Sequence, residues 1–70
     1  MECVGVACKA VEILWDETVG AYRVTNRSNR RVLLTLTNSS EKVSVRLERG
    51  TETLVHLAQF ELPYEASFCD

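Results

Sequence analysis

The sequence has little of what catalytic and cofactor-binding proteins need. Its 70 residues include one histidine, one proline and three glycines. No glycine belongs to a phosphate-binding loop, and no nucleophile motif surrounds a cysteine. His56 is the single ordinary acid–base candidate near neutral pH, and its apolar neighbours favour a structural role. We therefore predict that the protein is not an enzyme and uses no cofactor.

Long apolar runs are also missing. No stretch approaches the roughly 20 residues that a membrane-spanning helix needs, so we expect no membrane association. The N-terminus lacks the basic stretch and long apolar core of a signal peptide. With Met1 read as a genuine start, the expected location is cytoplasmic.

The cysteine count is odd, which suits a secreted disulfide framework poorly. We predict that Cys3, Cys8 and Cys69 are reduced thiols. The alternative is that the chain termini meet and Cys69 bridges Cys3 or Cys8. A zinc site of these cysteines with His56 is disfavoured, because Cys69 and His56 do not form a close ligand pair. We predict no bound metal.

The charge is unevenly distributed although the net charge is only −2. Residues 20–47 carry six of the eight basic side chains, whereas residues 1–19 and 48–70 are acidic. The favoured interpretation is that acidic and basic strands neutralise each other within one sheet. The alternative is that the basic segment binds an acidic surface on a partner protein or on a second copy.

The clearest structural pattern lies in the middle of the chain. Residues 32–37 and 42–47 alternate between apolar and polar side chains, which is typical of half-buried strands. Residues 38–41, NSSE, are the small polar residues of a tight turn. Together they predict a β-hairpin.

Before this hairpin, residues 21–25 alternate in the same way and lead into NRSNRR, residues 26–31. Asparagine tolerates a positive φ angle, and serine favours turns. We therefore predict that residues 26–31 form the exposed tip of a second hairpin, which joins residues 21–25 to the strand that begins at Val32.

Two segments fit either a strand or a helix, namely residues 6–17 and 51–62. We read both as strands and expect a last strand within residues 64–68. The fold class is then all-β: a single domain over residues 1–70, built as a small antiparallel β-sandwich or barrel of about six short strands. The alternative is an α+β fold with a helix at 6–17 or 51–62. The predicted core consists of Val11, Ile13, Val24, Val32, Leu34, Leu36, Val43, Val45, Leu47, Val55 and Leu57.

These features favour a non-enzymatic protein–protein interaction module, a small accessory or inhibitor protein that acts by surface binding and self-association. Open sheet edges accept a partner strand, and Trp15 and Tyr64 are of the aromatic types that commonly anchor interfaces. For Trp15 itself, core packing is favoured over an interface role. The candidate partner-binding residues are Arg27, Arg30, Arg31, Arg23, Arg46 and Trp15.

The alternative function is a small β-barrel that binds nucleic acid through the arginine-rich hairpin at residues 26–31. Two observations disfavour it. The sequence pI is about 5.3, whereas nucleic-acid-binding domains are commonly basic. Tyr22 is also the single aromatic residue within the basic segment.

Overall fold

Two small β-sheets make up the structure, a computed structural model that describes residues 2–69. The strands are β1 Cys3–Val4, β2 Val11–Asp16, β3 Ala21–Asn26, β4 Val32–Thr37, β5 Lys42–Leu47, β6 Glu52–Val55 and β7 Tyr64–Phe68. The four-stranded sheet has the order β1-β7-β4-β5, and the three-stranded sheet has the order β2-β3-β6. Paired strands are antiparallel, except that β1 runs parallel to β7. A short 3₁₀ turn, Cys8–Ala10, precedes β2.

The predicted central hairpin is confirmed. Strands β4 and β5 pair in register from Val32 opposite Leu47 to Thr37 opposite Lys42. The turn between them is closed by Asn38, whose side-chain oxygen accepts hydrogen bonds of 2.8 Å from the backbone N–H groups of residues 40 and 41. The small polar turn residues therefore act as the sequence pattern indicates.

The core lies between the two sheets. Alternation directs Leu34 and Leu36 of β4 inward, where they meet Val24 of β3 and Val55 of β6. All eleven predicted core residues belong to this cluster or pack against it. Val43 is only half-buried, because β5 lies at the edge of a four-stranded sheet that faces a three-stranded one.

The all-β prediction is confirmed, and the helical alternatives are wrong. Residues 6–17 contain the 3₁₀ turn and β2, while residues 51–62 contain β6 and a loop. The described residues form two sheets without closing into a barrel. Strand β1 was not predicted, since two residues are too few to show alternation.

The prediction of reduced cysteines is wrong for Cys3 and Cys8 and holds for Cys69. Cys3 and Cys8 form a disulfide bond, and Cys69 is a free, exposed thiol. Cys69 therefore bridges neither of them. The sequence did not predict the disulfide between Cys3 and Cys8. The elements that bring the two cysteines together, β1 and the 3₁₀ turn, give no periodic signal.

The predicted second hairpin is also wrong. Residues 26–31 leave β3 in the three-stranded sheet and enter β4 in the four-stranded sheet. The segment is therefore a crossover between sheets, although it contains turn-forming residues as expected. Its first residue, Asn26, is fully buried rather than exposed. Polar turn residues suit both kinds of connection, so the sequence pattern could not distinguish them.

Candidate functional site

The arginines of the crossover already have partners within the chain. The Arg27 guanidinium lies 2.9 Å from the Glu12 carboxylate, and the Arg31 guanidinium lies 3.1 Å from that of Glu48. The Arg30 guanidinium stacks 4.1 Å from the centre of the Phe68 ring. Basic and acidic segments thus neutralise each other through the crossover, whereas the interpretation from the sequence expected this between strands of one sheet.

Arg23 lies apart from the crossover, on the outer face of the three-stranded sheet. Its guanidinium binds the carboxylates of Asp16 and Glu52, the latter at 2.7 Å. The hydrogen bond from Arg23, with further donation from the backbone N–H groups of Thr18 and Val19, lowers the pKa of Asp16. The same ion pairs raise the pKa of Arg23.

Arg46 lies on the outer face of the other sheet, opposite Leu33 of β4. It is exposed and forms no ion pair with any residue in the range 2–69. The five candidate arginines are therefore spread over both outer faces and one end of the sandwich. They do not form a single basic surface.

The core-packing prediction for Trp15 is wrong, because its exposed fraction is 46%. Trp15 lies near the end of β2, where its ring packs edge-on against Tyr22 with centroids 4.9 Å apart. Phe60 and Tyr64 continue this aromatic row at spacings of 5.0 and 5.8 Å. One side of the indole is thus supported by the fold, and the rest faces solvent. A supported, exposed tryptophan has the geometry of an interface anchor.

Two further apolar side chains that are close to Trp15 along the chain are exposed. Leu14 is 55% exposed on the outer face of β2, and Val19 is 44% exposed in the β2–β3 turn. We call the edge of β2 together with Leu14, Trp15 and Val19 the β2 edge surface. Sequence reasoning missed Leu14 and Val19, although a run of apolar residues at 13–15 that breaks alternation was a signal of apolar exposure.

The backbone of β2 is unpaired along the edge that faces away from β3. The Arg27 N–H donates to the Ala10 carbonyl at 2.7 Å, which marks a hydrogen-bonded pair between β2 and β3. Because such pairs alternate along an antiparallel ladder, the N–H and C=O groups of Ile13 and Trp15 point away from β3. Among the described residues, no strand pairs with β2 on that side, so β2 is an edge strand.

Comparison of the four edge strands singles out β2. Strands β1 and β6 contain two and four residues, whereas β2 and β5 contain six each. Strand β5 carries Lys42 and Arg46, and charged side chains of this kind discourage pairing at an open edge. Strand β2 contains no lysine, arginine or proline, and its two charged side chains, Glu12 and Asp16, are ion-paired with Arg27 and Arg23. It is therefore the edge best suited to accept another strand.

A second apolar feature lies on the disulfide loop, residues 3–8. Val4 and Val6 are exposed there, and they line a shallow pocket with Gly5 and the cystine. Gly5 has a φ angle of 118° and lies so close to the Ala66 carbonyl that a Cβ atom would be 2.1 Å from that oxygen. The tight approach shows that this loop is packed onto β7.

The proposed ligands of a zinc site do not come together. Cys3 and Cys8 are consumed in the disulfide, and His56 is exposed after β6. Across residues 2–69, the structure holds no group of three or more metal-ligating side chains that could bind an ion.

The chain matches no known protein family, no curated protein and no solved structure closely enough to establish a relationship. In the part of the chain that is described, no helix has the length and apolar character needed to cross a membrane.

Proposed function

We propose that this protein is a non-enzymatic protein-binding module and that it binds through the β2 edge surface. The observation that carries the proposal is the coincidence of an open six-residue edge strand with Leu14 and Trp15, both about half exposed. Backbone groups at an open edge supply affinity, and adjoining apolar side chains supply specificity. An accessory or inhibitor protein acts in this way, by occupying the surface of another protein.

The arginines support this function less strongly than the β2 edge. An acidic partner at the crossover has to compete with Glu12 for Arg27 and with Glu48 for Arg31. The same competition weakens the nucleic-acid alternative, because phosphates meet guanidinium groups that are already paired. Arg46 is exposed and forms no ion pair within residues 2–69, so a partner meets no such competition there.

Affinity capture from the source cell, followed by mass spectrometry and reciprocal capture, tests the proposal. Wild-type protein and the Arg46→Ala control are expected to retain the same partner, while Trp15→Ala loses it. Circular dichroism confirms that both variants are folded. Retention of the partner by Trp15→Ala, with loss by a triple Arg27→Ala, Arg30→Ala, Arg31→Ala variant, would place the surface at the crossover instead.

A titration with a short single-stranded oligonucleotide tests the nucleic-acid alternative. Binding that falls steeply as salt rises, and that the triple arginine variant abolishes, would support it. We expect no binding at low salt.

The cytoplasmic location is a prediction that cell fractionation can test. The disulfide between Cys3 and Cys8 does not favour this location, since disulfides persist mainly in oxidising compartments.

A further inference from the structure

We infer that β2 pairs with the β2 strand of a second copy of this chain, in an antiparallel arrangement that is symmetric about Ile13. Two three-stranded sheets then become one continuous six-stranded sheet. This inference rests on the proposed function, because it names the occupant of the β2 edge surface.

The free backbone groups of β2 are self-complementary in this arrangement. Ile13 donates its N–H to the carbonyl of the second copy's Ile13 and accepts the equivalent bond in return. The Trp15 N–H donates to the carbonyl of the second copy's Val11, and symmetry repeats this bond. Pairing ends there, because the Val11 N–H already donates to the Cys8 carbonyl.

Charge repulsion favours the register that is symmetric about Ile13 over the neighbouring register that is symmetric about Leu14. Residues that lie directly opposite each other in an antiparallel pair share one face of the sheet. Symmetry about Ile13 places Glu12 opposite the second copy's Leu14. Symmetry about Leu14 would instead place Glu12 opposite the second copy's Asp16, and two opposed carboxylates repel each other.

The arrangement also covers the exposed aromatic ring. Trp15 lies on the inner face of β2, as do Val11 and Ile13, since the three alternate with residues 12, 14 and 16. Pairing about Ile13 brings the Trp15 ring beside the second copy's Val11. The dimer therefore buries an indole that the single chain leaves 46% exposed.

A charge-swap pair at Leu14 tests both the dimer and its register. We would measure sedimentation equilibrium and Trp15 fluorescence from micromolar to millimolar concentration, in a Cys69→Ser background that prevents intermolecular disulfides. Wild-type protein is expected to dimerise with a blue shift of the indole emission. In this register residue 14 lies opposite Glu12 of the second copy. Leu14→Lys places opposite charges together there, whereas Leu14→Glu places like charges together. The glutamate variant is therefore expected to dimerise about tenfold more weakly than the lysine variant.

The other outcomes overturn the inference in different ways. Equal weakening by Leu14→Lys and Leu14→Glu contradicts the register about Ile13, because like charges meet in both variants when the axis passes through Leu14. A wild-type chain that stays monomeric at every concentration removes the dimer. Loss of a captured partner on Trp15→Ala would then leave the proposed function standing, whereas retention of that partner would remove both.

A second matched pair isolates the backbone contribution. Trp15→Ala and Trp15→Pro both remove the ring, but only the proline variant lacks the N–H that reaches the second copy's Val11. Proline is tolerated where an edge-strand N–H faces solvent, so both variants are expected to fold. Dimerisation about tenfold weaker for proline than for alanine supports the pairing, and equal dimerisation contradicts it.

Discussion

The side-chain amide of Asn26 on β3 donates a hydrogen bond of 3.1 Å to the backbone carbonyl of Leu47 on β5. This bond joins the two sheets through a fully buried polar group. The same amide nitrogen lies 2.7 and 3.1 Å from the carbonyl oxygens of Arg30 and Glu48, so its two hydrogens are shared among three acceptors, and its oxygen accepts from the Ser28 N–H at 2.9 Å. Asn26 therefore organises the crossover that begins with it.

We expect Asn26→Ala to lower the free energy of unfolding by about 3 kcal/mol, because several carbonyls lose their donor inside the protein. Urea unfolding followed by circular dichroism measures the change. Asn38→Ala is the matched control, since Asn38 closes an exposed turn. The control is expected to cost about 1 kcal/mol or less. Equal losses would show that the buried hydrogen bonds of Asn26 contribute no more to the free energy of unfolding than the exposed ones of Asn38.

Removal of the disulfide with a Cys3→Ser, Cys8→Ser double variant is expected to lower stability by about 2 kcal/mol, the value for a short closed loop. Treatment of the wild-type chain with a reducing agent is also expected to lower its stability. Cys69→Ser is the control and leaves stability unchanged, because its thiol is free and exposed. Alkylation without reduction labels one thiol per chain if the disulfide forms; three labelled thiols would contradict the pairing.

Leu34 and Leu33 provide a test of which face of β4 is buried. Leu34 is fully buried between the sheets, whereas Leu33 is half-buried on the outer face. Leu34→Asp is expected to abolish cooperative unfolding, because an unpaired buried charge costs as much as a small domain's whole stability. Leu33→Asp is expected to fold. Thermal melts of both variants decide the matter, and a cooperative melt for Leu34→Asp would show that the assigned face is wrong.

The pH dependence of Asp16 follows from its ion pair with Arg23. The pKa of Asp16 is lower in the folded chain than its unfolded value of about 3.9. Its contribution to stability is thus fully present above the unfolded pKa and disappears as the pH falls through the folded pKa.

NMR titration of the Asp16 carboxyl carbon measures this pKa directly. Arg23→Gln is expected to raise it toward the usual value, since the largest cause of its depression is lost. Glu52→Gln leaves the bond between Arg23 and Asp16 in place, so a smaller change is expected there. If Arg23→Gln has no effect on the titration, the ion pair does not set this pKa.

The parts of the fold that were predictable are those with a local cause. Alternation identified β4 and β5, and turn-forming residues identified the loop at 38–41, because neighbouring residues alone determine both features. The crossover at residues 26–31 was misread as a hairpin because turn residues carry no information about which sheet the next strand joins. Trp15 was misassigned to the core for a related reason, since its exposure depends on where β2 ends relative to the facing sheet.

The candidate surface was predictable in part. Trp15 was identified from residue type, but the open backbone of Ile13 and the exposure of Leu14 depend on β2 being an edge strand. The arginines were identified from their clustering in sequence, and the fold then separated Arg23 from Arg46 on opposite outer faces. Clustering along the chain did not become clustering in space.

The amino-acid sequence by itself determined that β3, β4 and β5 are strands and which side of each is apolar, because alternation acts over neighbouring residues. The tertiary structure alone decided that Cys3 meets Cys8, that Asn26 is buried, that the crossover arginines pair with acidic side chains, and that β2 is left open. Cys3 and Cys8 are only five residues apart, but Cys3 lies on β1, which forms by pairing with β7. The other relationships join residues far apart along the chain or depend on which strands become neighbours, so they arise only when the two sheets pack together.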